Sequence, residues 1–185
     1  FTSQNRISND QYIYENYLTP GIFDSANSVQ AGDYIKAEPS LRRAMELGSQ
    51  DGLTMGLLGY CLSQSGRSHD ALQAYRMAKL TMPDELQWQL GEATALMELN
   101  ELEEAESIYK YVLKVSPERV GIWANLANVN LRQGNQILAI SNMEVARRLN
   151  ALDSSSLLSL GHLYLNETLT EKAMDCYRQA LKDPI

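Results

Sequence analysis

The sequence predicts an all-α protein built from stacked antiparallel helix pairs. Alanine and leucine are abundant, valine and isoleucine are scarce, and only 5 prolines and 11 glycines interrupt the 185 residues. That composition favours helices over strands. Apolar residues recur at helical spacing in short segments separated by turns. The same pattern returns every 34 residues without a gap, so we expect a repeated helix–turn–helix unit.

The 34-residue register is set by small residues. A small residue where two helices cross lets their axes approach closely, and a larger residue four positions later fills the gap between neighbouring units. The first column contains Ala37, Ala71, Ala105, Ala139 and Ala173; the second Leu41, Tyr75, Tyr109, Met143 and Tyr177; the third Ala44, Ala78, Val112, Ala146 and Ala180.

The best-formed unit spans residues 52–85. Its first helix is marked by Leu58, Gly59 and Leu62, its turn by Gly66, its second helix by Ala71, Tyr75 and Ala78, and its end by Pro83. This pattern resembles a tetratricopeptide repeat. The resemblance extends over five repeats, at about residues 18–51, 52–85, 86–119, 120–153 and 154–185. It implies a right-handed α-solenoid, a superhelix of stacked helix pairs.

The ends and turns depart from the ideal repeat. Residues 1–17 do not fit it and are interpreted as an N-terminal extension that caps the first repeat or docks into the protein's own groove. Repeat one is degenerate, and we expect its second helix to begin near Pro39 or to bend there. Gly or Asn suits the turn conformation. Two second helices are predicted to start with a capping box, Asn100 with Glu103 and Thr168 with Glu171.

Composition and charge limit the classes of partner that the protein is expected to bind. The hydrophobic fraction of 44% indicates a folded chain, and no apolar run approaches the ~20 residues of a membrane-spanning helix. Sixteen basic residues against 23 acidic ones give a net charge of −7, which does not favour nucleic-acid binding. From Asp84 to Glu106 every charged side chain is acidic. This run is either a solvated helix face or a patch that steers a basic partner.

The sequence offers no reaction chemistry. Neither of its two histidines, His69 and His162, has a metal-ligand neighbour at helical spacing, and no phosphate-binding loop or nucleophile motif is present. We therefore predict no catalytic residue, metal or cofactor. Cys61 and Cys176 lie too far apart on a repeat stack for a disulfide and are interpreted as small apolar core residues. Asn166-Glu167-Thr168 matches the N-glycosylation acceptor pattern.

The resemblance implies that the first helix of each repeat lines a concave groove for a peptide or partner helix. Helical spacing predicts that this groove changes from apolar to polar along the chain. Its predicted lining is Phe23, Leu53, Leu57, Tyr60, Gln64, Thr94, Asn125, Asn128, Arg132, His162 and Asn166. Asn128 and Arg132 either bind a partner's backbone and carboxylate or serve the protein's own surface. The five-residue carboxylate clamp of the family's chaperone-binding members is not matched, because the predicted groove has no lysine.

Three functions follow as hypotheses. The first is a non-catalytic scaffold that binds a peptide or protein in its groove. The second is a structural subunit of a larger complex, for example in secretion or the cell envelope, assembled through uncapped ends. The third is a regulatory fragment of a larger enzyme. Because repeat five is not followed by a capping helix, we expect further repeats or a homodimer contact there. The chain begins with Phe1, which indicates a processed or excised segment and leaves its localisation open.

Overall fold

A computed structural model describes residues 33–49 and 51–181, and in that part of the chain all regular elements are α-helices. The predicted all-α class is confirmed. The helices are α1 (Tyr34–Glu46), α2 (Gly52–Gln64), α3 (Ser68–Thr81), α4 (Leu86–Glu98), α5 (Leu102–Val115), α6 (Ile122–Arg132), α7 (Gln136–Arg148), α8 (Ser154–Asn166) and α9 (Thr170–Ala180). The predictions for residues 1–17 and for Phe23 lie outside the described residues.

The chain divides into two compact units, with the boundary between Leu99 and Asn100. In the described part of unit one, α2 is the central helix: it contacts α1, α3 and α4. Ten of its 13 residues are buried, which explains why its sequence is apolar on all sides. The small residues Ala37, Ala71 and Ala78 are fully buried, as helix crossings require.

In unit two, each helix from α5 to α9 contacts the next one along the chain. A continuous core joins α6, α7, α8 and α9. It consists of Ala127, Met143, Ala146, Leu152, Leu157, Leu160, Tyr164, Ala173, Cys176 and Ala180. The register alanines Ala105, Ala139 and Ala173 are fully buried here too. Stacking of successive helices therefore supplies the core that no single pair could bury.

The turns inside the repeats share one backbone conformation. Gly66, Asn100, Gly134 and Thr168, each 34 residues apart, all have positive φ, at 72°, 64°, 78° and 59°. The expected use of Gly or Asn at this position is thus explained by the left-handed backbone region, which most residues avoid.

The two predicted capping boxes are wrong. The residues that precede the first turns of α5 and α9 are Glu101 and Leu169, and neither caps its helix with a side-chain hydrogen bond. Asn100 and Thr168 stand one position earlier, in the left-handed turn, where a side chain does not take up the N-cap geometry.

Aspartates instead cap three other helices. The carboxylate of Asp33 accepts from the backbone N–H of Lys36, that of Asp51 from Thr54, and that of Asp153 from Ser156. The cap at Asp33 also corrects the expected start of the second helix of repeat one. Helix α1 begins at Tyr34, and Pro39 lies inside it.

Cys61 and Cys176 are free and buried in different units, and burial raises the pKa of the Cys61 thiol to about 11. Among the described residues, no helix has the length and hydropathy needed to cross a bilayer.

Candidate functional site

Unit one contains a groove of about 640 Å³ formed by residues from α1, α2, α3 and α4, which we call the unit-one groove. Its volume falls within the usual range of ligand sites, about 300–1,000 Å³. The lining residues are Tyr34, Leu53, Leu57, Tyr60, Ser63, Gln64, Tyr75, Gln87, Trp88, Leu90, Gly91 and Thr94.

Helix α2 provides one wall of this groove. Leu53, Leu57, Tyr60 and Gln64 follow one another at intervals of four, three and four residues, which places them on one side of the helix. The two leucines are buried, whereas Tyr60 is 39% exposed at the rim. The structure therefore brings these four predicted residues together with a fifth, Thr94 on α4.

The sequence predicted Tyr60 but not the other aromatic residues of the lining, which are Tyr34, Tyr75 and Trp88. Tyr34, the first residue of α1, packs edge-on against Tyr60 with ring centroids 5.6 Å apart. A hydrogen bond with the neighbouring Tyr34 hydroxyl, and to a smaller extent burial, raises the pKa of Tyr60. Tyr34 was missed because only the first helix of each repeat was projected onto the groove, and α1 is a second helix.

Trp88 on α4 is a further aromatic residue that the prediction omitted. Its ring packs so closely on Gly56 that a Cβ there would lie within 3.0 Å of it. The indole side chain is 5% exposed, and within the described part of the chain its buried Nε1–H has no hydrogen-bond partner. A buried donor without a partner is uncommon in folded proteins and marks the groove wall as a place of unmet hydrogen bonding.

Among the described residues, the lining of the unit-one groove is uncharged. All twelve of these lining residues are neutral at pH 7. The buried carboxylate of the same unit, Glu92 on α4, is 4% exposed and pairs with Arg76 (3.0 Å) and Lys79 on α3. The charge of Glu92 is therefore compensated by its own unit, and the groove presents apolar surface with hydroxyl and amide groups at its edge.

The remaining described site predictions lie in unit two. Asn125, Asn128 and Arg132 are exposed on α6, and a guanidinium nitrogen of Arg132 donates to Oδ1 of Asn100 at 3.1 Å. His162 is exposed and lies edge-on to Tyr177, with centroids 5.7 Å apart, and Asn166 is the exposed last residue of α8. Because these residues belong to unit two, the single groove running from apolar to polar stays a prediction.

The buried polar centre of unit two is Asn130, which the prediction overlooked. Asn130 is 1% exposed; its amide donates to Glu106 (3.3 Å) and Gln133 (3.2 Å) and its oxygen accepts from Asn142 (2.7 Å). Hydrogen bonding by Lys110, together with Gln133 and Asn130 and against the effect of burial, lowers the pKa of Glu106. Spacing alone could not distinguish this inward amide from its exposed neighbour Asn128.

In the described ranges, no group of three or more His, Cys, Asp or Glu side chains is arranged to hold a metal ion. The polar clusters described above consist of ion pairs and amide hydrogen bonds between helices. The unit-one groove, which brings together five of the predicted residues, is therefore taken as the candidate functional site.

Comparison with known proteins gives a consistent assignment. Two family models, both described as tetratricopeptide repeat, match residues 90–153 and 154–182, together about half of the chain. Among curated proteins, the chain is 23% identical over 155 residues to human Protein O-mannosyl-transferase TMTC1. That match covers 82% of this chain but 18% of the human protein's length.

Solved structures with the same fold include two of MamA and one of PilF. One MamA structure has a TM-score of 0.76 at 16% identity, covering 90% of this chain and 95% of that one. MamA from Desulfovibrio magneticus RS-1 has a TM-score of 0.77 at 14% identity, covering 92% and 93%. Pseudomonas aeruginosa PilF has a TM-score of 0.71 at 22% identity, covering 86% and 74%.

Proposed function

Because this chain belongs to the tetratricopeptide repeat family, a family of protein-interaction scaffolds, we propose that its unit-one groove binds an apolar, uncharged segment of a partner protein. The observation that carries the proposal is the lining itself: twelve neutral residues with leucine and aromatic side chains exposed to one volume of about 640 Å³. In this role the chain acts without catalysis and needs no cofactor.

The groove selects its partner by excluding charge. A charged side chain that entered it would lose its hydration and meet no opposite charge among the lining residues. Such a penalty discriminates against charged segments, in addition to the good contacts that favour apolar ones. Leu53 and Leu57 supply the apolar surface, and the tyrosine rings at the rim add large, stiff contacts of the kind that dominate interfaces.

Side-chain amides at the edge of the groove suit the backbone of a bound segment. Gln64 and Gln87 each offer a donor pair and an acceptor, so they can bond peptide groups without requiring a particular sequence. Thr94 donates its hydroxyl to the carbonyl of Leu90 at 3.0 Å and keeps lone pairs for an incoming N–H. Apolar side chains would then fix which segment binds, while the amides hold its main chain.

A peptide array tests this proposal directly. Fluorescently labelled chain is applied to immobilised 15-residue peptides of varied composition, and we expect the retained peptides to be rich in Leu, Ile and aromatic residues and poor in charge. Tyr60→Glu places a carboxylate at the rim of the groove and should weaken binding at least ~10-fold, which corresponds to about 1.4 kcal/mol. Tyr111→Glu is the matched control, because Tyr111 is a half-exposed tyrosine on α5 in the other unit.

The outcome that contradicts the proposal is equal retention of every peptide by wild type and Tyr60→Glu, with both proteins folded by circular dichroism. Selection of charged peptides would contradict the stated partner chemistry. Retained binding by Tyr111→Glu together with its loss in Tyr60→Glu would support the groove.

A second candidate role is that of a repeat segment within a larger enzyme. The match to human Protein O-mannosyl-transferase TMTC1, of which this chain covers 18%, favours it specifically. The intact mass of the native polypeptide, isolated with an antibody against this chain, would test the idea. A mass close to the 20.8 kDa of this sequence would rule it out.

A further inference from the structure

Helix α9 carries an exposed stripe of alternating charged and apolar residues. Glu171, Met174, Arg178 and Leu181 follow one another at intervals of three, four and three residues and so lie along one side of the helix. We call them the α9 stripe. All four are exposed, Met174 by 45% and Leu181 by 85%. Two large apolar side chains on one helix face are thus left in contact with solvent.

The 34-residue register shows what such a stripe does elsewhere in the unit. The equivalent positions on α7 are Ile137, Ile140, Glu144 and Arg147. There two of the four positions make packing contacts: Ile140 packs against the unit-two core, and Glu144 accepts a hydrogen bond from the Tyr164 hydroxyl of α8 at 3.0 Å, whereas Ile137 is 73% exposed. The middle of the α9 stripe, Met174 and Arg178, therefore occupies positions that make contacts elsewhere in the same unit.

Contacts with α7 use a different side of α9. Oε1 of Gln179 accepts from Arg147 of α7 at 3.3 Å. On a helical projection Gln179 lies about 160° from Leu181 and about 140° from Met174, because successive residues are about 100° apart. Within the described residues, Met174 and Leu181 therefore lie on a side of α9 that faces away from this contact with α7.

The order of charges along the stripe indicates which helix fits. The acid, Glu171, is near the beginning of α9, and the base, Arg178, is near its end. We propose that the α9 stripe binds the α9 stripe of a second copy of this chain, with the two helices antiparallel. A two-fold axis near Met174 then places each Glu171 beside the partner's Arg178 and the two methionines against each other. A parallel pairing would instead oppose like charges.

Within a single chain, Arg178 already forms an ion pair, and it can exchange this pair for another at little cost in free energy. It pairs with Asp175 at 2.9 Å, and both side chains are about two-thirds exposed. Exposed pairs of this kind contribute about 0–1 kcal/mol, so the intermolecular pair does not compete with a strong existing bond. The antiparallel arrangement also sets opposite ends of the two helix dipoles side by side.

The contact is small, so the dimer is weak. An 11-residue helix is about 16 Å long. Stable interfaces bury about 1,200–2,000 Å² in total, more than one such helix pair offers. We therefore expect a dissociation constant on the order of 0.1 mM, a strength at which dimerisation depends on local concentration.

Analytical ultracentrifugation of the 185-residue chain tests the pairing. Wild type should shift from monomer towards dimer between about 5 µM and 1 mM, in keeping with a weak interface. Glu171→Arg and Arg178→Glu should each stay monomeric, because each variant opposes like charges in its own homodimer. An equimolar mixture of the two variants should associate again, and so should the double variant Glu171→Arg/Arg178→Glu.

Arg119→Glu, an exposed charge reversal in the loop before α6, serves as the control and should dimerise like wild type. Wild type that remains monomeric up to 1 mM would overturn the proposal. Association that persists in both single variants would overturn it as well, because the contact would then lie elsewhere. Failure of the mixture to associate, with both variants folded, would rule out the antiparallel arrangement.

Discussion

The ring of Tyr75 fills the space into which a side chain on Gly91 would extend: a Cβ there would lie within 3.0 Å of the ring carbons. On α2, a Cβ on Gly59 would lie 3.0 Å from the same ring. Tyr75 is 3% exposed and so is held between two glycine-bearing helices. In unit two, Tyr177 lies against Gly161 in the same way. Tyr75 and Tyr177, two tyrosines of the 34-residue register, therefore require a small residue on the facing helix.

Replacement of Gly91 by alanine should destabilise the protein by about 1–3 kcal/mol, since the added methyl group overpacks the contact with Tyr75. This expectation opposes helix propensity, which favours alanine over glycine by about 1 kcal/mol. Urea unfolding monitored by circular dichroism gives the free-energy difference. Gly121→Ala is the control, because a Cβ there meets nothing within 4 Å. An unchanged midpoint for Gly91→Ala would show that the ring can move aside.

Thr168 is the costly member of the turn series. It is β-branched and has a φ of 59°, whereas two of its register equivalents are Gly66 and Gly134. Left-handed backbone costs a non-glycine residue about 1–2 kcal/mol, partly offset by the greater chain entropy of unfolded glycine. We expect Thr168→Gly to stabilise the protein by about 1 kcal/mol in urea unfolding. The reciprocal change, Gly134→Thr, should destabilise the protein. If both variants changed the free energy of unfolding by the same amount in the same direction, this account would be contradicted.

Much of the fold could be predicted because the same residue types recur at equivalent positions of several repeats. One alanine at a helix crossing is weak evidence, but Ala37, Ala71 and Ala105 at a fixed interval report the same crossing several times. The left-handed turns were predictable for the same reason, since glycine and asparagine share one physical tolerance of positive φ. In unit one, helical spacing along α2 was enough to place Leu53, Leu57 and Tyr60 on one side of that helix.

Other features depend on neighbours that spacing does not reveal. The sequence predicts Asn100 both as a turn residue and as a cap because asparagine suits left-handed turns and N-caps alike, and only the backbone decides between them. Tyr34 reaches the groove from the preceding helix pair. Asn130 and Asn128 are both asparagines on α6, yet only Asn130 turns inward to Glu106. Pairwise contacts between helices set these outcomes.

Acid should weaken unit two through Glu144. Hydrogen bonding from Arg147, and then from Arg148 and Tyr164, outweighs burial and lowers the pKa of Glu144 from 4.5 to about 2. A carboxylate with a lowered pKa in the folded state contributes stability above its unfolded pKa and loses it as pH falls. Because Glu144 is only partly buried and its arginine partners reach solvent, screening reduces the contribution to about 1–2 kcal/mol at neutral pH, and it should fade as pH falls from about 5 towards 2.

Glu144→Gln isolates this effect from those of the other carboxylates. Urea unfolding of wild type and variant is compared at intervals from pH 7 to pH 2. The difference in unfolding free energy should be constant above about pH 5.5 and approach zero near pH 2. Glu118→Gln, an exposed carboxylate in the loop before α6, provides the baseline. A difference that does not change with pH would assign the contribution of Glu144 to packing.

The buried amide of Asn130 should contribute more to the free energy of unfolding than the exposed amide of Asn128 on the same helix. Asn130→Ala removes the acceptor for Asn142 and a donor to Glu106, and groups left unpaired in the interior cost about 1–3 kcal/mol each. We expect a loss of about 2–3 kcal/mol for Asn130→Ala and about 1–2 kcal/mol for Asn142→Ala. Because the two side chains share a hydrogen bond of 2.7 Å, the double variant should lose less stability than the sum of the two single losses, with a coupling of about 1 kcal/mol in a double-mutant cycle.

Asn128→Ala is the matched control: the side chain of Asn128 is exposed, so the free energy of unfolding should change by no more than about 0.5 kcal/mol. Additive losses would show that Asn130 and Asn142 act separately, whereas a stable Asn128→Ala variant could be used in binding assays without a correction for unfolding.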